Sequence, residues 1–262
     1  MALILSEEQK LLKDSATEFL AMNAPVEQFR DLRDNNYKAF DESLWTKIVE
    51  MGWTALTIPE EFDGLEFGYV GLGQILEEMG KNLTKAPLFS SIVLGANVLT
   101  HSKNQELKKE WLPQLMEGTK RVALALDEHT YFDPTAIATT AKSTANGYTL
   151  SGKKIMIIDG ASADAFIVVA KTEDEELALF IVAADSKGIT VTTDVLLDAG
   201  TYATVVFDQV AVTATNRISG AGEGAALLNH ILNTASICLS AEMLGMVTEA
   251  FGQTVAYLKE RE

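Results

Sequence analysis

Trp111-Leu112-Pro113-Gln114-Leu115-Met116-Glu117-Gly118-Thr119-Lys120-Arg121-Val122-Ala123-Leu124-Ala125-Leu126-Asp127-Glu128 is the stretch in which the chain changes character. Up to Met116 the apolar residues keep helical spacing, and from Val122 to Leu126 they form an unbroken apolar run of strand length. Working back from this junction, Gln105 to Met116 predicts a helix that Pro113 would kink or restart. Ser90 to Leu99 is nearly all apolar and predicts a buried helix. Gln74 to Met79 predicts a helix ending at Gly80, and Leu44, Ile48 and Met51 mark another that stops at Gly52. At the start, Ser6-Glu7-Glu8-Gln9 has the form of a capping box ahead of Leu11, Leu12, Ala16, Phe19 and Leu20.

Forward from the junction the segments are short and rich in Val, Ile, Thr and Phe. Strands are predicted at Tyr148 to Leu150, Ile155 to Ile158, Phe166 to Ala170, Leu177 to Ala183, Ile189 to Thr192 and Ala203 to Val212. Turn formers separate them: Asn146-Gly147, which suits a type I′ hairpin, then Asp159-Gly160 and Lys187-Gly188. From about Gly222 helical periodicity returns and runs to the end. Helices, then strands, then helix is the segregated order of an α+β fold, not the alternation of a doubly wound sheet. The expected domains are residues 1–120 (helical), 121–217 (β) and 218–262, the beginning of a further, incomplete helical domain.

Bulk properties exclude several function classes. The 262 residues carry a net charge of −16, against a nucleic-acid or anionic-membrane partner, since both reward clustered Lys and Arg. A single cysteine, Cys238, precludes an internal disulfide and fits a reducing, cytoplasmic setting. MALILSEEQK lacks the basic start and cleavage site of a signal peptide, and no stretch is expected to approach the ~20 apolar residues of a membrane span. His101, His129 and His230 are far apart in sequence with no Cys partners, so no metal site is expected. Gly220-Ala221-Gly222-Glu223-Gly224 precedes a helix and reads as a flexible lead-in rather than a phosphate loop. Cys238, between Ile237 and Leu239, reads as core, and Glu173-Asp174-Glu175-Glu176 as a solvated hairpin loop. Walker, G-x-G-x-x-G, G-x-S-x-G and H-E-x-x-H motifs are absent. Spacing alone leaves the function open.

Several short motifs resemble one family, in its order. Ile58-Pro59-Glu60-Glu61-Phe62-Asp63-Gly64-Leu65 is similar to "P-E-x-x-G-G-L", and Leu76-Glu77-Glu78-Met79-Gly80-Lys81 to an "E-E-x-G" helix end. Trp111 to Gly118 resembles "W-L-P-x-L-x-x-G", Ala123 to Glu128 "A-L-T-E-P", and Tyr148 to Lys154 "Y-x-L-x-G-x-K". Tyr257-x-x-Glu260-Arg261 resembles "Y-x-x-x-R". Together they resemble the acyl-CoA dehydrogenases. Glu128, Tyr131, Phe132 and Asp133 followed by Thr139-Thr140-Ala141, with Gly160 to Asp164 and Ala241-Glu242-x-x-Gly245, are similar to the small subunits of two-subunit members, such as those acting on pimeloyl-type dicarboxylic esters.

The resemblance implies an N-terminal helical domain, a β-barrel-like middle domain and a C-terminal helical bundle. It implies FAD as cofactor, an acyl-CoA substrate, an electron-transfer acceptor protein and a homo- or hetero-oligomer. The implied reaction is α,β-dehydrogenation of the thioester: a carboxylate takes the α-proton while the β-hydride passes to the flavin. The flavin contacts fall on Leu126, Asp127, Glu128 and Asp133 and on Met156, Ile157 and Ile158, and substrate contacts on Asn233 and Ser236. Three positions depart from the pattern: Asp127 replaces a Thr, Met156 an aromatic, and Ile158 a second Thr that donates to the flavin. The alternative base position on the helix of Ala235-Ser236 holds no carboxylate and the usual one falls beyond residue 262, so the chain as given is expected to be truncated and inactive. The alternatives are a non-catalytic subunit of a heteromeric enzyme and a flavin-free acyl-CoA-binding scaffold.

Overall fold

A computed structural model describes residues 4–35, 37–198 and 200–261. Helices α1 (Glu7–Asn23), α2 (Val26–Asp34), α3 (Glu42–Glu50) and α4 (Tyr69–Asn82) come first. A π-helical stretch, Phe89–Ala96, then runs into α5 (Asn97–Thr100), and α6 (Gln105–Met116) closes the helical part. The capping box at Ser6 forms as expected: Gln9 N donates to Ser6 Oγ at 3.2 Å, and Ser6 N to Gln9 Oε1 at 2.9 Å. Asp41 caps α3 and Asn104 caps α6 by accepting from backbone N–H groups of the first turn, without the reciprocal bond. The apolar run from Ser90 is buried throughout, but its first turns are π- rather than α-helical.

Two helix boundaries differ from expectation. Gly80 does not end α4, which continues to Asn82, because Gly80 serves there as a point of close packing rather than as a cap. Pro113 does not restart α6, which runs through it to Met116 without the backbone bond that a proline at this position cannot donate to Lys109 O.

The middle part is one seven-stranded sheet with order β1-β4-β2-β3-β7-β6, and β5 pairs with β4. The strands are β1 (Val122–Ala125), β2 (Thr140–Thr144), β3 (Gly147–Ile158), β4 (Ala165–Thr172), β5 (Leu177–Ala183), β6 (Ile189–Val195) and β7 (Thr201–Thr213). The two strands expected around Tyr148 and Ile155 are one strand, β3, bent by bulges between Leu150 and Gly152 and between Lys154 and Ile157. β2 was not expected: Thr140 to Thr144 is mostly exposed and has no apolar alternation to betray it. The β2–β3 turn is Ala145-Asn146, one residue earlier than Asn146-Gly147. Gly147 is already paired with Thr144 and takes the positive φ of +141°.

Strand alternation divides the molecule into two cores. Ala165, Ile167 and Val169 of β4 join Val122, Leu124, Leu126, Leu179 and Ile181 in a core shared with the N-terminal helices. The intervening Phe166, Val168 and Ala170 face the other way, with Ala123, Phe180 and Phe207, into a second core within the curled sheet. Both faces of β1, β4 and β5 are thus buried, which is why those strands read as continuous apolar runs.

The last helix, α7 (Gly224–Glu260), lies across α4 and sends Leu228, Ile231, Ala235 and Cys238 into the shared core. A Cβ on Gly80 would stand 2.0 Å from Glu242 O, and one on Gly245 1.8 Å from Glu77 O. Only glycine allows the two helix backbones to come so close. By length and hydropathy alone α7 would also pass for a membrane span, contrary to expectation. Its packing on α4 and β5 accounts for the apolar inner face. Cys238 is buried and its thiol is pushed up to about 11 by burial, as befits core rather than a nucleophile.

Candidate active-site cleft

The shared core opens into a cleft of about 580 Å³ between the end of β1, the bulged end of β3, the π-helical stretch and α7. The sheet contributes Leu124, Leu126, Asp127, Met156 and Ile158, with Phe132 and Pro134 from the following loop. Phe89 and Leu94 come from the π-helical stretch, and Asn229, Leu232, Asn233, Ala235, Ser236 and Leu239 from one face of α7. Their spacing of three, four and seven residues is that of a single helical stripe.

The β3 bulge shapes the sheet wall. Met156 takes a positive φ of +55°, unusual for a side chain of that size, and lies in the register break between Lys154 and Ile157. The extra residue leaves Met156 and Ile158 about 40% exposed on the cleft side, at 39% and 41%, while Ile157, 1% exposed, points into the inner β core. Ile157, also expected among the flavin contacts, does not line the cleft. Ile155 N donates to Asp127 O at 2.8 Å and so ties the bulge to the end of β1.

Behind the wall lies an ion pair. Lys154, fully buried, donates from Nζ to Glu128 Oε1 at 2.7 Å and to Leu126 O at 2.9 Å. Glu128 also accepts from the backbone N–H groups of Ala138 (2.6 Å) and Thr139 (2.9 Å). The pair therefore clamps residues 126–128 to 138–139. Burial lowers the Lys154 ammonium to about 8, against the pull of Glu128; Glu128 stays below the usual carboxylate range because its bonds to Lys154 and Thr139 outweigh its own burial. Asp127 faces the cleft instead, and burial raises its carboxyl above the usual range despite Lys154 nearby.

The residues singled out from sequence thus separate. Leu126, Asp127, Met156 and Ile158 meet Asn233 and Ser236 across one cleft. Glu128 supports the wall from behind. Asp133 does not line the cleft; half-buried, it accepts from the backbone N–H and hydroxyl of Thr135, although its neighbours Phe132 and Pro134 line the cleft. Ser236 Oγ donates to Leu232 O at 2.8 Å, so its hydroxyl proton is engaged within α7. Phe89, Asn229 and Leu239 were not foreseen. Leu239 and Asn229 lie one turn or two from the two α7 positions that were, and helical periodicity would have found them.

His101 and His230, 129 residues apart in sequence, are neighbours: their Nε2 atoms are 3.1 Å apart. Among the described residues no group of three or more His, Cys, Asp or Glu side chains is arranged to hold a metal. Gly222 (φ +72°) leads into α7, and a Cβ on Gly224 would meet Leu177 O at 1.9 Å, so the glycine-rich segment seats the helix on β5.

One buried acid makes a prediction. Asp159, at the end of β3, accepts from Ser90 Oγ at 2.7 Å, and burial pushes it up to about 6, with Ser90 and Lys85 pulling the other way. The folded carboxyl holds its proton more tightly than the unfolded one. Its favourable contribution is therefore complete below the ordinary value of 3.8 and is lost as pH rises through about 6. Asp159→Asn should stabilise the protein by about 1–3 kcal/mol well above that pH, and the gain should vanish in acid. Asn also tolerates the residue's φ of +55°. Urea denaturation across the pH range is the check, and a pH-independent difference would contradict the assignment.

Comparison with known proteins agrees with this architecture. Residues 6–119 match the N-terminal domain of acyl-CoA dehydrogenases and residues 124–210 the middle domain. The chain is 30% identical over 229 residues to "Acyl-CoA dehydrogenase FadE27" of Mycobacterium tuberculosis, covering 87% of this chain and 59% of that protein. It is 28% identical over 273 residues to the mitochondrial isovaleryl-CoA dehydrogenase of Pongo abelii, covering 64% of it. It therefore spans about three fifths of the length of these relatives. Among solved structures, the ChsE4-ChsE5 complex from Mycobacterium tuberculosis superposes with a TM-score of 0.89 at 26% identity, covering all of this chain and 69% of that one. Butyryl-CoA dehydrogenase from Megasphaera elsdenii gives 0.88 at 25% identity, again over all of this chain and 71% of that one. With two consecutive domains matched in order on a helical, β and helical frame, the chain belongs to the acyl-CoA dehydrogenase family.

Proposed function

We propose that the cleft binds FAD and an acyl-CoA thioester side by side and serves α,β-dehydrogenation of the acyl group. The observation that carries this reading is the meeting of the sheet wall with the α7 stripe: Leu126, Asp127, Met156 and Ile158 face Asn233 and Ser236 across one space. The wall suits a planar ring, since Leu126, Met156 and Ile158 offer apolar surface and a polarizable sulfur, and the Asp127 carboxyl offers an acceptor to a ring N–H. When bound, FAD supplies the hydride acceptor. The chain's own part is to fix the wall through the Lys154–Glu128 clamp, to exclude water with Phe89, Leu94 and Leu232, and to present α7 to the substrate.

A second reading is favoured by one observation. Among the described residues lining the cleft, Asp127 is the only carboxylate, and it belongs to the flavin wall; α7 presents none. A subunit that keeps the fold while a partner performs the chemistry fits this pattern. In either reading the reduced cofactor passes its electrons to an acceptor protein, and the single cysteine and acidic composition fit a cytoplasmic setting.

FAD titration followed by fluorescence quenching tests the reading. Saturable binding is expected, and Ile158→Thr should tighten it by on the order of 1 kcal/mol through a restored donor. Absence of FAD binding would remove the proposal, and equal affinity of both proteins would show that Ile158 does not face the ring.

The outer face of α7 bears on assembly. Ile237, Val247 and Phe251 are 69%, 64% and 70% exposed, and Met243 and Leu244 more than half. An apolar face of this extent is rarely left in water. A second copy of the chain is the proposed cover, and light scattering at micromolar concentration should give at least a dimer. A stable monomer of 28.4 kDa would exclude it.

A further inference from the structure

A second cavity, of about 220 Å³, adjoins the apolar cleft and shares Phe89, Ile158 and Leu239 with it as a common wall. Its far side is polar: Asp159, Glu242, Tyr202, Thr201, Thr84 and Lys85. Glu242 follows the cleft residues Ser236 and Leu239 along α7, and Asp159 follows Ile158 on β3. The two elements that form the substrate face and the sheet wall therefore each deliver a carboxyl group to the same space.

The hydrogen-bonding account of this cavity is incomplete. Asp159 accepts from Ser90, and Tyr202 donates to Asp198 at 2.9 Å. Among the described residues, the Thr201 hydroxyl, in a residue 5% exposed, has no partner, and neither has that of Thr84. Lys85 donates to Lys38 O at 3.3 Å. A buried hydroxyl without a partner is uncommon in a folded protein and points to something that binds there. Burial raises both carboxyls: Asp159 to about 6, and Glu242 likewise to about 6, with Asp159 adding repulsion. Such a pair accepts hydrogen bonds readily and opposes a further negative charge.

We propose, resting on the acyl-CoA reading of the cleft, that this cavity receives the distal end of the acyl group, and that the substrate carries there a hydrogen-bond donor, a hydroxyl or an ammonium, rather than a carboxylate or a bare methyl. The apolar cleft takes the methylene chain, and Asp159, Glu242 and Thr201 take the terminal group. Specificity comes from the unmatched end: a methyl leaves the polar groups unsatisfied, and a carboxylate meets the two acids Asp159 and Glu242 against the ammonium of Lys85.

The test is calorimetric binding to the FAD-loaded 262-residue chain, with medium-chain acyl-CoA esters of matched length bearing a terminal methyl, hydroxyl, ammonium or carboxylate. Either donor-terminated ester should bind at least about tenfold tighter than the methyl ester, and the carboxylate ester no tighter than it. If the ammonium ester alone is favoured, the donor is a cation; if the hydroxyl ester is favoured as well, a neutral donor suffices. Glu242→Gln and, separately, Thr201→Val should erode the preference while circular dichroism stays unchanged. Equal binding of the methyl and donor-terminated esters, or tightest binding of the carboxylate ester, overturns the assignment of the cavity but leaves the cleft reading intact. Failure of every ester to bind overturns both.

Discussion

Lys154→Met is expected to cost about 3–5 kcal/mol of stability, the usual penalty for removing one partner of a buried ion pair. Lys154 is fully buried and Glu128 is 7% exposed at the side chain, so water cannot replace the lost ammonium. The loss should also be local in a way that can be read. Without Lys154, Leu126 O loses its ammonium donor, and among the described residues Glu128 is left with the backbone N–H groups of Ala138 and Thr139. FAD affinity should therefore fall along with the melting temperature. The double variant Lys154→Met with Glu128→Leu should recover much of the stability, because an apolar pair removes the orphaned charge, but not the affinity, because the clamp on residues 126–128 is still missing. A single variant as stable as the parent would mean that the pair is not buried as described.

Gly245→Val is the second large effect. A Cβ there would stand 1.8 Å from Glu77 O and 3.0 Å from Lys81 N, both backbone atoms that no side-chain rotation can move. Overpacking at a rigid contact costs about 1–3 kcal/mol or more, and here the strain falls on the α4–α7 crossing. α7 must lift or slide, and it carries Asn233, Ser236 and Glu242. Acyl-CoA binding is thus expected to weaken more than the loss of global stability explains. Gly252→Ala, in the same helix but with nothing within 4 Å of the new Cβ, is the control and should be neutral or stabilising by about 0.5–1 kcal/mol. If both variants behave alike, the close crossing is not what positions α7.

Much of the cleft lining falls on segments that were legible in the chain. The apolar run ending at Leu126 and Asp127, the β segment carrying Met156 and Ile158, and the helix carrying Asn233 and Ser236 could each be recognised. What could not be read was which side of each element faced the others. Ile157 and Ile158 are equally apolar, and only the bulge at Met156 decides that one is core and the other cleft. Glu128 and Asp127 are adjacent acids; Lys154 claims the first and leaves the second to the cleft. His101 and His230 are unremarkable in sequence and touch only because α7 folds back beside α5.

The sequence by itself determined the succession of helices, strands and helix, because hydrophobic period and turn chemistry act over a few residues at a time. It determined most strand positions for the same reason, and missed β2, whose exposed polar residues are held by pairing with β3 and β4 rather than by any pattern of their own. The tertiary structure alone decided that Gly80 and Gly245 are contact points rather than helix ends, and that the α7 stripe of Asn233 and Ser236 lies opposite the sheet wall of Asp127, Met156 and Ile158. It alone also brought Asp159 and Glu242, 83 positions apart, into one cavity. These are contacts between distant segments, and they are set by the packing of whole elements, which local preferences constrain but do not specify.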